Sequence, residues 1–133
     1  MFTDKFPENK NRRNNIMDNK TVQEKAQELA RLIQDGKGDS VVLLDISELN
    51  SWTDYFVIAT VSSGAQSQGI QKQIKDYIKD AGLEIHKTNK KINDGEDWNL
   101  IDLGNIVVHL MSKEAREFYD LEKLWHAGTR LEF

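Results

Sequence analysis

The sequence predicts an α/β fold in which helices flank a mixed β-sheet, and three patterns lead to this prediction. Apolar residues recur at helical spacing in three segments, short apolar runs suit buried strands, and one segment alternates around a Gly-Asn turn. With 133 residues, 38% of them apolar and 30% charged, the chain suits one domain with one continuous core. The predicted element order is α-β-β-α-β-β-β-α.

The first half of the chain supplies a helix and two central strands. Thr21 and Glu24 form a T-x-x-E capping box, and apolar residues then recur at helical spacing until Asp35-Gly36. The runs 41–46 and 54–61 are almost wholly apolar, as expected of strands covered on both faces. We therefore expect helix one to be followed by two neighbouring strands.

A second helix follows the turn at 62–64 and ends at Gly82, and the segment 83–87 is predicted to be the third strand. Backbone N–H groups at Ser62 and Ser63 could hold a phosphate. The stretch SSGAQSQG lacks the glycine-rich phosphate-loop pattern and its lysine, however. Ordinary helix capping is the favoured interpretation.

The segment 97–111 predicts a β-hairpin with a two-residue turn, in which Leu103 lies opposite Ile106. Alternation assigns one face the residues Trp98, Leu100, Asp102, Val107, His109 and Met111. We expect this face to be more exposed than the one bearing Ile101, Val108 and Leu110, and Asp102 to lie within hydrogen-bond reach of His109. After Ser112, residues 113–125 predict one final helix with Ala115, Phe118, Leu121 and Trp125 on a shared face.

Composition limits where the protein works and what it binds. There is no cysteine, and the longest apolar run, 55–61, is far shorter than the ~20 residues of a membrane span. We expect a cytoplasmic protein without membrane contact. Residues 1–17 lack periodicity and are predicted to be a disordered tail, with one domain over residues 18–133.

The net charge of −4 is unevenly distributed, because residues 1–20 carry five basic and three acidic side chains. The remainder is acidic and should be repelled by a phosphate backbone, so no direct sequence-specific nucleic-acid binding is expected. A basic protein is the expected partner. An RNA-binding role for the basic tail stays an alternative.

No arrangement in the sequence favours catalysis, a metal or a cofactor. An Asp102–His109 pair could act as a general base with its orienting partner, but no convincing nucleophile is nearby. The three histidines are too scattered for a zinc enzyme, and Asp94, Glu96 and Asp97 lack calcium-loop spacing. Beside Trp98, that acidic cluster could form the rim of an aromatic contact patch.

Three segments, SWTDYFVIATVSS, EDWNLIDLGNIVVH and KEAREFYDLEKLW, resemble the Iojap family, the ribosomal silencing factors, in order and spacing over residues 21–126. The resemblance implies a nucleotidyltransferase-like fold, and we expect no enzymatic activity because the carboxylates that such catalysis needs are missing. It also implies binding to the fourteenth protein of the large ribosomal subunit, blocking of small-subunit joining, and a homodimer when free. Trp98 corresponds to the family tryptophan tied to that contact. The partner-binding residues are expected to be Trp98, Asp102, His109, Asp97, Trp52, Tyr55 and Tyr119.

The chain departs from the family pattern at Val61, where members often carry glycine, and in the loop 88–97. A nucleotide-dependent enzyme on the same fold is the alternative function. Such catalysis needs paired metal-binding carboxylates soon after a Gly-Ser turn, whereas no carboxylate occurs between Ser62 and Asp76. The sequence therefore favours a nucleotidyltransferase-like fold that lacks nucleotidyltransferase activity.

Overall fold

The structure, a computed structural model, describes residues 20–91 and 97–133, with only the backbone for 87–91. Helices α1 (Val22–Asp35) and α2 (Gly64–Ala81) accompany strands β1 (Asp39–Asp45), β2 (Tyr55–Thr60), β3 (Lys87–Lys91), β4 (Trp98–Asp102) and β5 (Ile106–Met111). Helices α3 (Lys113–Tyr119) and α4 (Leu121–Leu124) and strand β6 (Thr129–Leu131) follow. The predicted α/β class is confirmed.

The strands form one mixed six-stranded sheet in the order β3-β4-β5-β2-β1-β6. Only the central pair, β2 with β5, is parallel, and all other neighbours are antiparallel. Both strands of this pair are buried. The apolar run at 54–61 predicted this for β2, whereas β5 was expected to expose the face that bears His109. The sheet therefore needs cover on both faces.

Helices α1 and α2 cover one face, and local signals fix their ends. Thr21 and Glu24 make the predicted capping box, Ser63 accepts a hydrogen bond from the Gln66 amide, and Gly82 ends α2 at φ 74°. The two helices bury a core that contains Leu29, Ile33, Ile70, Ile74, Val57, Ile101, Val108 and Leu110. No helix in the described part of the chain is long and apolar enough to cross a membrane.

The β4–β5 hairpin has the predicted register. Trp98 lies opposite Met111, Leu100 opposite His109, and Ile101 opposite Val108. Gly104 adopts φ 90°, a conformation that strongly favours glycine. The turn thus fixes which hairpin residues face α1 and α2.

The third strand was predicted in the wrong place. It forms at Lys87–Lys91 along the edge of the sheet, whereas Leu83 and Ile85 precede it and pack against the core without strand pairing. Apolar periodicity marks burial, and this edge strand pairs its backbone with β4 through a polar sequence. The apolar pattern therefore identified the buried segment at Leu83 and Ile85 but missed the strand that pairs with β4.

The predicted C-terminal helix is divided at Asp120, which has φ 47° and ends α3. Ala115 and Phe118 both lie in α3, three residues apart, yet Ala115 is buried and Phe118 is 80% exposed, so the face predicted to be shared over 113–125 is only partly buried. Arg116 holds the region to the sheet by donating to Thr60 and Glu122, each at 3.0 Å. The short strand β6 was not predicted, and the predicted tail at 1–17 lies outside the described residues.

We predict that Gly104→Ala lowers the free energy of unfolding by about 1–3 kcal/mol, because alanine is strained at this φ. The new Cβ would also lie 3.1 Å from His86 Nε2. Gly69→Ala is the matched control: it lies inside α2 with no atom near the added methyl, and should stabilise by about 0.5–1 kcal/mol. Urea unfolding of both variants is the measurement, and equal effects would contradict the role of the turn.

Candidate functional site

The face of the sheet opposite α1 and α2 carries a group of contacting aromatic rings. We name it the aromatic surface and define it by Trp52, Phe56, Trp98, Phe118, Tyr119 and Trp125. Phe56 comes from β2 and Trp98 from β4, and the others come from the loop before β2 and from the α3–α4 region. Elements far apart in the chain thus build one surface.

His109 connects the two halves of the aromatic surface. Its ring centroid lies 4.5 Å from that of Phe56 and 5.9 Å from that of Trp98. On the Trp98 side, Trp98 contacts Tyr119 at 4.8 Å, and Tyr119 contacts Phe118 at 4.9 Å. On the other side, Phe56 contacts Trp125 at 5.5 Å. The rings form a continuous row over the sheet.

Much of this apolar area is open to solvent. Phe118 is 80% exposed and Trp52 58% exposed, and the nearby chain adds Leu124 at 69% and Leu49 at 43%. The short helices α3 and α4 cover only part of this face of the sheet. The longer helices α1 and α2 cover the opposite face. Clustered exposed side chains of this size mark interaction sites in soluble proteins.

His109 lies beneath these rings, only 3% exposed. The indole Nε1–H of Trp98 donates to its Nδ1 at 3.1 Å, which places the proton of the neutral ring on Nε2. Burial lowers the pKa of His109 to about 3, so the ring is neutral at pH 7. Its Nε2 has no hydrogen-bond partner within residues 20–91 and 97–133.

The expected hydrogen bond between Asp102 and His109 is not formed. Asp102 instead accepts from the Gly104 amide at 2.8 Å and so stabilises the hairpin turn. The predicted difference between the faces holds for half-exposed Trp98 and Asp102 against fully buried Ile101. It fails for His109, because the aromatic rings and α3–α4 cover the centre of that face.

Two further predicted site residues take different positions. Tyr55 faces the opposite side of the sheet and packs against the core under α1 and α2, away from the aromatic surface. Burial, with the nearby carboxylates of Asp45 and Asp54, raises its pKa. The Asp97 carbonyl accepts from the Ser112 amide at 2.8 Å and joins the start of β4 to that of α3.

The predicted site residues did not include Phe56, Phe118 or Trp125. The apolar pattern placed Phe118 on one helix face with Ala115 and Leu121, and these two are buried whereas Phe118 is 80% exposed. Phe56 and Trp125 lie on the same side of the sheet as Trp98. Alternation along β2 could have predicted this position for Phe56 only if the order of the strands had been known.

Two of the three segments that carry the aromatic surface contain carboxylates and no lysine or arginine, whereas the third, 113–125, contains four carboxylates and three basic residues. Residues 97–111 contain Asp97 and Asp102 and no lysine or arginine. The loop and strand ends at 45–54 contain Asp45, Glu48 and Asp54, again without a basic residue. The surface therefore combines exposed rings with negative charge.

A second candidate site lies at the carboxyl ends of β2 and β5, where a cavity of about 370 Å³ is lined by Lys37, Ser62, Gln66, Ser112 and Lys113, among others. Gln66 closes the first turn of α2, since its Oε1 accepts from the Ser62 amide at 2.7 Å and its Nε2 donates to the Lys37 carbonyl at 2.8 Å. The predicted capping role of this turn is confirmed. Within the described ranges, no group of three His, Asp or Glu side chains could hold a metal ion.

The fold and site together define an α/β domain built around an exposed aromatic surface with acidic neighbours. Residues 19–133 match the family described as "Ribosomal silencing factor during starvation". The chain therefore belongs to the family of ribosomal silencing factors, as the sequence motifs indicated.

Individual relatives agree with this assignment. The ribosomal silencing factor RsfS of Halalkalibacterium halodurans is 36% identical over 112 residues, which are 83% of this chain and 92% of that protein. RsfS of Bacillus subtilis is 35% identical, over 72% of this chain and 80% of that protein. The chloroplastic protein Iojap of Arabidopsis thaliana is 31% identical, over 80% of this chain but 44% of that protein.

Two solved structures share the fold. A Chromobacterium violaceum crystal structure superposes with a TM-score of 0.72 at 31% identity, covering 86% of this chain and 92% of that one. A structure from Bacillus halodurans superposes with a TM-score of 0.68 at 33% identity, covering 84% of this chain and 99% of that one. The α/β architecture is thus that of known members of the family.

We predict that stability falls as the pH drops from 7 to 5, in part because of His109. The folded pKa of about 3 lies below the usual value of 6.5, so the unfolded chain binds the proton first. The stabilisation is complete above about pH 6.5 and is lost progressively toward about pH 3, by about 1.4 kcal/mol per pH unit. Urea unfolding of wild type and His109→Leu at pH 7 and 5 measures this contribution. Parallel pH profiles of the two proteins would contradict it.

Proposed function

We propose that this chain represses translation by binding the large ribosomal subunit through its fourteenth protein, and that the bound chain sterically blocks joining of the small subunit. Membership of the ribosomal silencing factors supports a ribosomal target. The exposed aromatic surface is the single observation that carries the proposal. Such action requires a stable contact and no chemical step.

The aromatic surface has the composition of a protein-binding site. Trp and Tyr are enriched among the interface residues that contribute most to affinity. All three tryptophans of the chain belong to this surface, together with the exposed ring of Phe118. A partner that covered these rings would remove apolar area from water at a favourable free energy.

The neighbouring carboxylates favour a basic protein as the partner. Asp97 directly precedes Trp98 and Asp102 follows it by four residues, and residues 97–111 contain no lysine or arginine. Complementary charge speeds the encounter and helps to select the partner. The same charges disfavour naked RNA, whose phosphates bind Lys and Arg. The contact is therefore proposed to be with ribosomal protein and to take place in the cytoplasm.

The free protein is proposed to be a homodimer. Exposed apolar side chains such as Phe118 and Leu124 are costly in water, and a second copy could cover them. Sedimentation velocity over a range of concentrations would reveal the dimer.

The start of α2 argues against the alternative of a nucleotide-dependent enzyme. The first turn of α2 is closed by Gln66 and capped by Ser63. We predict no saturable heat with ATP or CTP and magnesium in calorimetry, because the Ser62 and Gln66 amides already donate to Gln66 Oε1 and Ser63 Oγ. Micromolar binding would shift the proposal toward the enzyme.

We predict that Phe118→Ala weakens binding to purified large subunits by about 1–2 kcal/mol, roughly 5- to 30-fold. Since Phe118 is 80% exposed, the free energy of unfolding should change by less than about 0.5 kcal/mol. Trp98→Ala should cost more affinity, about 2–4 kcal/mol, and also some stability, because Trp98 packs on Tyr119 and binds His109.

Gln68→Ala is the matched control, since Gln68 is exposed on α2 and uncharged. It should bind like wild type in the same filter-binding or sedimentation assay. Wild-type affinity of folded Phe118→Ala and Trp98→Ala variants would refute the aromatic surface as the docking site.

A further inference from the structure

We propose that His109 is a positioning residue that fixes the indole of Trp98 in the orientation used for docking. It would act through the hydrogen bond that its Nδ1 accepts from Trp98 Nε1. This inference rests on the proposed function, because it assumes that Trp98 contacts the ribosomal partner. It assigns to a buried residue a role in recognition that requires no contact with the partner.

The ring of His109 is itself held in place. His109 lies on β5, between Leu100 on β4 and Ile58 on β2. The ring of Phe56 packs edge-on against it at 4.5 Å, and the residue is only 3% exposed. A side chain enclosed in this way has few rotamers available, so its Nδ1 is a fixed acceptor.

Trp98, by contrast, lies at the start of β4 and is half-buried. Its ring is tilted by 46° against Tyr119, at 4.8 Å, and aromatic pairs at such distances are favourable in more than one relative orientation. The 3.1 Å hydrogen bond to His109 is directional and satisfies the indole N–H. Loss of the acceptor would leave that donor without this partner and allow other orientations of the ring.

Stability alone does not account for a histidine at this position. The buried Nε2 of His109 has no hydrogen-bond partner in the described part of the chain, and an unpaired buried polar atom is unfavourable. An apolar side chain of similar size would avoid that cost. The Nδ1 bond to Trp98 is the contact that only a polar residue supplies here.

The test is a matched pair of variants, His109→Asn and His109→Leu. The two new side chains have the same shape, but Asn can place its carbonyl oxygen where Nδ1 accepts, and Leu places a methyl group there. Affinity for purified large subunits and the free energy of unfolding are measured for both. We expect His109→Leu to be at least as stable as His109→Asn, yet to bind about 10-fold more weakly than wild type. His109→Asn should bind within about 3-fold of wild type.

A merely structural histidine predicts the opposite order of affinities, with the more stable variant binding better. Wild-type affinity of His109→Leu, or equal loss in both variants, would overturn the inference.

Proton exchange of the indole N–H supplies a readout that does not depend on the ribosome. The Trp98 signal is assigned by its absence in Trp98→Phe, and exposed Trp52 serves as the internal reference. We expect Trp98 to exchange more slowly than Trp52 in wild type and His109→Asn, and to lose this protection in His109→Leu. Unchanged exchange in His109→Leu would overturn the positioning role.

The two proposals fail in different ways. If wild type does not bind large subunits while the Trp98 indole stays protected, the proposed function is wrong. If wild type binds, Phe118→Ala weakens binding and His109→Leu does not, only the positioning role is wrong.

Discussion

The parallel pairing of β2 with β5 is the constraint on which the rest of the structure depends. Phe56, Val57 and Ile58 pair there with Val107, Val108 and His109, and all six are buried. A strand pair buried on both faces needs two covering layers. Helices α1 and α2 supply one of them, and the aromatic residues with α3 and α4 supply the other. Both the core and the candidate site therefore originate in the same twelve-residue pair of strands.

The two layers differ in how completely they cover the sheet, and this difference produces the site. Helix α2 has 18 residues and α1 has 14, whereas α3 and α4 have seven and four. The short helices bury Ala115 and Leu121 but leave Phe118 and Leu124 in solvent. Phe56 and His109 then form a buried base on which the larger rings pack. Because α3 and α4 cover this face of the sheet only in part, aromatic rings are exposed there while the buried residues beneath them hold them in a defined arrangement.

Local signals were sufficient for much of the fold. The capping box at Thr21, the left-handed Gly82 and the Gly104 turn are each determined by a few neighbouring residues, and each was predictable. The polar edge strand, the break at Asp120 and strand β6 depend on what the rest of the chain provides, and were missed. At the site, alternation placed Trp98 and His109 on one face, but it could not show that they bind each other. That contact depends on the rotamers of two packed rings.

The gathering of every tryptophan into one surface also has an optical consequence. Trp52, Trp98 and Trp125 are the only indoles in the sequence. The ring centroids of Trp52 and Trp125 lie 6.3 Å apart, close enough for excitation energy to pass between them. Tryptophan emission from the native chain therefore comes from this surface alone, since the phenol and indole side chains that pack against the core under α1 and α2 are the tyrosines Tyr55 and Tyr77. The protein carries a built-in fluorescent label on the face where a partner is proposed to bind, so that docking can be followed without attaching a dye.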